Sequence, residues 1–166
     1  MHNNELRSVL RDNQMNIRRV TMEMREIGSE LEQEFRDRIF DRVNKIPIMS
    51  TMKLEVINLK AGFCELKAPR QRMYDGIYDS FHGGLLMTVA DSAAAFALMT
   101  LTGTDAKMTT TDMNIRFLAP CLTDLIVRAT VIKFGRTLSP MAIDLYDENK
   151  IHVAVAQVNY FVLGKI

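Results

Sequence analysis

Cysteine is scarce in this chain. Cys64 and Cys121 are its only two, too few for a disulfide framework. Neither belongs to a CxxC pair or a Cys/His cluster, so no metal site is expected. An excess of charge of one sign is missing as well. Twenty-one Lys and Arg stand against 20 Asp and Glu, a formal net charge of +1. A dedicated nucleic-acid binder draws its affinity from a basic surface, which this balance does not supply. No apolar run is long enough for a bilayer. The longest, residues 85–101, falls short of the roughly 20 residues that a span needs. It also holds Asp91 near its middle, where a carboxylate in lipid would cost about 3 kcal/mol. It reads as a helix buried in protein, with no membrane span expected. Repeats and low-complexity segments are absent too. The polar start, His2 to Glu5, does not read as a signal peptide, and a reducing cytoplasm is the expected compartment.

What is present fits one compact domain, or one domain with an appendage, in 166 residues. A chain of this length buries about two thirds of its unfolded surface and needs no metal or disulfide staple. Residues 3–27 read as a helix, because Leu6, Leu10, Ile17, Val20, Met24 and Ile27 recur at spacings near three and four. Gly28 is a stop, and Ser29 with Glu32 forms a capping-box pattern for a restart. The second helix, about 30–45, aligns Leu31, Phe35, Ile39 and Val43. Residues 1–45 carry nine basic and nine acidic side chains, the mark of a solvated face with i,i+4 pairs. A partner-binding or coiled-coil role for residues 3–27 is the other reading, although the heptad does not run past Leu31.

After Pro47 the period becomes strand-like. Met52, Leu54 and Val56 alternate with polar residues, Gly62 intervenes, and a second run follows from Phe63 to Ala68. A loop over 69–81 leads to the apolar helix, about 82–101. Four further strands are expected over 110–118, 123–134, 137–146 and 151–163, the last two around the polar turn Asp147 to Lys150. Pro140 falls inside one of them and calls for a bulge or an edge position. A helix that is apolar on nearly all sides needs a sheet around it, and about six antiparallel strands would serve. The fold class is α+β.

His82-Gly83-Gly84 stands just before the apolar helix. Two glycines let a backbone approach closely, and a helix N-terminus offers unpaired N–H groups with partial positive charge. That suits an anion or an oxyanion developing in acyl transfer; the alternative is tight packing at a helix entry. Asp91 is costly to bury alone, and no basic residue lies within a turn of it. Either it serves a reaction or it bonds locally, for example with Ser92. His82 and Asp91 are nine residues apart, about two and a half turns and roughly 13 Å of rise, on opposite sides of one helix. If both serve one reaction they come from two chains, which implies a dimer with two composite sites.

These residues, with Thr110-Thr111-Asp112-Met113-Asn114-Ile115-Arg116-Phe117-Leu118-Ala119-Pro120 and Lys133-Phe134-Gly135-Arg136-Thr137-Leu138, resemble the hotdog-fold acyl-CoA thioesterases. The phenylacetate-pathway branch is the most similar, over roughly residues 30–163. The resemblance implies a long central helix wrapped by a curved antiparallel sheet, with residues 1–28 as an N-terminal helical extension and 29–166 as the hotdog domain. It also implies a homodimer or homotetramer acting on an acyl-CoA, with no cofactor. By the same resemblance the Gly83 N–H polarises the thioester carbonyl, and Asp91 of the facing subunit acts as nucleophile or general base. Thr110 helps to hold the water, His82 and Gly84 shape the loop, and Arg136, Thr137 and Ser139 meet the nucleotide end of coenzyme A.

One departure concerns the position of Gly76, where the family carries Asn or Gln near the thioester carbonyl. Asp75 is adjacent, but a carboxylate would repel an oxyanion that an amide would stabilise. A non-catalytic acyl-CoA or lipid-binding hotdog protein is therefore the rival reading. A hotdog dehydratase or hydratase would need a histidine–carboxylate pairing in other motifs, and neither pattern occurs. The methionines, Met87, Met99, Met113 and Met141 among them, read as core or as the lining of a flexible acyl tunnel.

Overall fold

The structure, a computed structural model, describes residues 26–165. The expected helix over residues 3–27 lies outside these, apart from its last two positions, which are not helical. Gly28 does adopt a left-handed φ of 94°. Its N–H donates to the Ala61 carbonyl at 2.7 Å, and Ser29 accepts from the Ala61 N–H at 2.9 Å.

Helix α1 spans Gln33–Asn44 and buries Phe35, Ile39 and Val43, the expected side at i, i+4 and i+8. Its outer face carries the pairs Glu34–Arg38 and Asp41–Lys45. The capping box does not form. Glu32, not Ser29, is the N-cap, and it makes no side-chain bond; Ser29 is instead engaged through its backbone at Ala61. A short helix α2, Pro47–Thr51, follows, where a strand-like stretch was expected to begin. Pro47 sits at its start, where the fixed φ and missing N–H suit a first turn. Met52 and Leu54 are buried as their alternation required, but β1 begins only at Glu55 and runs to Lys60.

Strand β2 (Phe63–Ala68) precedes helix α3 (Gly83–Thr102), which leads to β3 (Ala106–Phe117), β4 (Leu125–Val131), β5 (Leu138–Asp147) and β6 (His152–Lys165). The six strands form one sheet in the order β1-β2-β4-β5-β6-β3, with every pairing antiparallel. Alternate residues face inward: Leu125, Val127, Ala129 and Val131 on β4, then Met141, Ile143 and Leu145 on β5 are all buried. Against this face lies α3. Ala90, Ala93, Ala94 and Ala97 are fully buried, and their small side chains let helix and sheet approach closely. By length and composition it could cross a bilayer, but most of it is buried inside the protein. It is the core helix that the sequence implied.

Strand β3 starts four residues earlier than expected and lies at the sheet edge. Pro140 occupies neither an edge nor a bulge. It sits in β5, between β4 and β6, one residue past the last β4 pair, Val131–Met141. Its carbonyl accepts from the Ile132 N–H at 2.9 Å, and the return bond that proline cannot give falls where β4 has ended. Cys64 and Cys121 are both free and buried. Burial pushes the Cys64 thiol far up, and mainly burial raises that of Cys121 to about 11.

Candidate active site

The loop between β2 and α3 is organised by Arg70, a residue the sequence reading passed over. Its guanidinium holds Asp75 through two bonds, Nε to Oδ1 at 2.9 Å and Nη2 to Oδ2 at 2.7 Å. It also donates to the carbonyls of Leu122 and Asp79, while its own N–H donates to Asp124. The Asp75 side chain is only 6% exposed, and the guanidinium keeps its carboxyl below the usual aspartate range. Asp75 is thus committed to Arg70 and does not stand in for an amide at Gly76. Gly76 itself donates its N–H to the Ser80 carbonyl at 2.8 Å.

His82 ends this loop as the N-cap of α3, its Nδ1 accepting from the Gly84 N–H at 3.0 Å. The His82 carbonyl accepts from the N–H groups of Leu85 and Leu86. Among the described residues the Gly83 N–H has no acceptor, as expected of a first-turn donor. It borders a cleft of about 610 Å³ lined by Gly76, Ile77, Tyr78, Phe81 and His82. A Cβ at Gly83 would lie 3.1 Å from the Phe117 ring, so that ring occupies the space the glycine leaves.

Eight residues further along α3, roughly 12 Å of rise, a second cluster forms. The Thr110 hydroxyl lies 2.8 Å from Asp91 Oδ1, and the Tyr160 hydroxyl is also 2.8 Å from that oxygen and 2.9 Å from the Asp91 main-chain carbonyl. Ser92 is not the partner; its hydroxyl donates to the Thr88 carbonyl. Among the described residues no cation pairs with Asp91. Thr110 and Tyr160 border a groove of about 860 Å³ whose apolar wall includes Ala95, Met99, Met108 and Leu163. Thr110 and Tyr160 are cross-strand partners, and the β3 register shifts between Thr110 and Asp112. A bulge beside a site commonly re-aims one side chain.

Tyr160 was legible only in part. The alternation of β6 turns it inward, and a buried phenol normally finds a partner, but nothing in the linear order joins residue 160 to residue 91. Burial, with the Asp91 charge adding to it, pushes the Tyr160 phenol far above its ordinary value. The remaining candidates lie elsewhere. Arg136 and Thr137 are exposed in the turn before β5. Ser139 is 0% exposed, its hydroxyl unpartnered among the described residues, opposite Tyr160 on the inner face, so it is not on the surface where a nucleotide would be met. One chain therefore keeps the Gly83 cleft and the Asp91 cluster apart. Among the described residues no group of His, Cys, Asp or Glu is arranged to hold a metal.

Residues 78–154 match the family model for the thioesterase superfamily. Acyl-coenzyme A thioesterase 13 of Mus musculus is 32% identical over 109 residues, covering 64% of this chain and 71% of that protein. The Homo sapiens protein of the same name is 32% identical over 111 residues, 65% and 73% of the two chains. A thioesterase family protein from Silicibacter pomeroyi superposes with a TM-score of 0.72 at 26% identity, over 78% of this chain and 98% of that one. The E. coli PaaI protein of the phenylacetic acid degradation operon shares the fold with a TM-score of 0.74 at 19% identity, over 82% and 98%. With the central helix wrapped by a six-stranded antiparallel sheet, these likenesses establish that the chain belongs to the thioesterase superfamily and has its hotdog fold.

Proposed function

We propose that this protein is an acyl-CoA thioesterase that cleaves the thioester to a free carboxylic acid and coenzyme A, with Asp91 as its reactive group. The carrying observation is the Asp91 carboxylate, held among the described residues by the Thr110 and Tyr160 hydroxyls, which border a groove with one apolar wall. As general base it takes a proton from water as that water attacks the thioester carbonyl; as nucleophile it attacks the carbonyl itself. Either way the carbonyl oxygen becomes an oxyanion, and an unpaired backbone N–H such as that of Gly83 stabilises it. Collapse breaks the C–S bond, and the sulfur leaves as thiolate and is protonated; on the nucleophilic route water then cleaves the acyl–Asp91 anhydride, which releases the acid and restores the carboxylate. Each contribution is worth roughly hundreds- to thousands-fold in rate. Thr110 Oγ1 donates to Asp91 and keeps lone pairs that can accept from the attacking water.

The N–H and the carboxylate come from two subunits in this reading. The 12-residue edge strand β3 supports it, since a long unpaired edge favours pairing with a second chain. Phe117, Leu118 and Leu122 are half-exposed near the same end, and Ile77 and Tyr78 are more than 80% exposed beside Gly83. Met99 and Met108 in the groove wall suit an acyl chain, as flexible apolar side chains do. Gly76, with no side chain to donate, favours the second reading, a protein that binds acyl-CoA without cleaving it.

Release of coenzyme A from short, medium, long-chain and aryl acyl-CoAs, measured with wild type and Asp91→Asn, decides between them. Turnover in wild type that falls at least about 100-fold in the variant supports the thioesterase. Undiminished turnover in Asp91→Asn sinks the role of Asp91, and saturable binding without product in either protein establishes the second reading.

A further inference from the structure

We propose that Tyr160 is a positioning residue for the Asp91 carboxylate, fixing it through Oδ1 so that Oδ2 is the oxygen that meets water or substrate. The inference rests on Asp91 being the reactive group; it adds which oxygen reacts and what holds it.

The geometry is specific. Tyr160 is 4% exposed and stands on β6 between Ser139 of β5 and Thr110 of β3. From there its hydroxyl reaches helix α3. That hydroxyl has one proton and three oxygen neighbours, the Asp91 carboxylate, the Asp91 main-chain carbonyl and the Thr110 hydroxyl. A carbonyl in the middle of a helix already accepts from the N–H four residues on. A bond to an ionised acceptor is also roughly twice as strong as one to a neutral group, so the proton goes to Oδ1. Thr110 donates to the same atom. An ionised carboxyl has about four lone-pair sites; the two on Oδ1 are filled, and those on Oδ2 have no partner among the described residues. With both hydroxyls on one oxygen, rotation that would exchange the two oxygens breaks both bonds at once. The phenol stays protonated throughout the working pH range, because burial and the Asp91 charge both oppose its ionisation. It therefore acts only as a donor here and does not compete as a base. Tyr160 lies beyond the residues that the family model matches, which end at 154.

The test is Tyr160→Phe, which keeps the ring and its burial and removes only the hydroxyl. Loss of one bond to a charged group should lower kcat about 10- to 100-fold, with KM changed less than about two-fold. A structural loss would lower kcat only in proportion to the unfolded fraction, so kcat is read per folded molecule, with that fraction taken from circular dichroism. Tyr146→Phe removes a phenol that makes no bond to Asp91 among the described residues and should leave kcat unchanged. Wild-type kcat in folded Tyr160→Phe, beside an inactive Asp91→Asn, would overturn this inference alone. Full activity in Asp91→Asn would overturn the reading of the site and this inference with it.

Discussion

Gly76 offers a way to add activity instead of removing it. The resemblance places Asn or Gln there, and the described residues leave room for the first atom of such a side chain. A Cβ at Gly76 would meet His82 Cδ2 at 3.7 Å, the Ser80 carbonyl at 3.8 Å and His82 Cα at 3.9 Å. All three are ordinary van der Waals contacts, and Gly76 is not among the glycines with a left-handed φ. Replacing a glycine at a compatible position stabilises by roughly 0.4–1 kcal/mol, through the unfolded chain. For a protein of this size that is about 1–4 °C in Tm, and Gly76→Ala should show it with no change in turnover. Gly76→Asn adds an amide donor on the wall of the cleft that the Gly83 N–H borders. A fully aligned oxyanion donor is worth about 100- to 1,000-fold. An unrefined one should give part of that, about 10-fold in kcat, on a substrate the wild type already cleaves. Differential scanning fluorimetry and coenzyme A release on the Ala and Asn variants separate the two effects. If Asn raises Tm as Ala does and leaves kcat where it was, the thioester carbonyl does not sit over this cleft.

Two further expectations concern the scaffold. Arg70→Ala should loosen the loop that ends at Gly83 and lower kcat/KM while α3 and the sheet stay folded, as circular dichroism would show. Its acid dependence follows from Asp75, whose folded pKa lies below the ordinary 3.8. The stabilisation by the pair is therefore complete above that value and lost as pH falls through the folded one. Wild type should lose stability in that window and Arg70→Ala much less, so parallel acid denaturation curves would refute the assignment. Gly135→Ala would put a Cβ 2.1 Å from the Leu138 carbonyl oxygen. The turn must shift at a cost of about 1–3 kcal/mol, a fall of about 2–12 °C in Tm, and an unchanged Tm would show that the turn yields freely.

The sequence carried the long-period features well. An apolar run of helical length with small residues through it pointed to a core helix, and the strand-like runs at 63–68, 123–134, 137–146 and 151–163 fell on β2, β4, β5 and β6. Boundaries failed where tertiary contacts outweigh local pattern: Ser29 is taken up by Ala61, Pro47 starts a helical turn, and Pro140 is tolerated because β4 ends beside it. Of the site, the resemblance named Asp91 and Thr110, the latter for holding water; the direct bond between them is a finding of the structure. Tyr160 and Arg70 did not, because their roles arise from strand register and loop closure, which no spacing along the chain encodes. The resemblance placed Ser139 with Arg136 and Thr137 at the nucleotide end of coenzyme A, whereas the strand period turns it inward.

The two buried cysteines bear on how the enzyme is assayed. Thiol-reactive dyes that report free coenzyme A attack thiolates. Cys64 is fully buried, and the Cys121 thiol, pushed up to about 11, is almost wholly protonated at neutral pH. Native protein should therefore add almost no background colour to a reading of product. Once the chain unfolds, both sulfurs come into solution. The same dye then counts two equivalents per unfolded molecule, so one cuvette records catalysis and the loss of the catalyst.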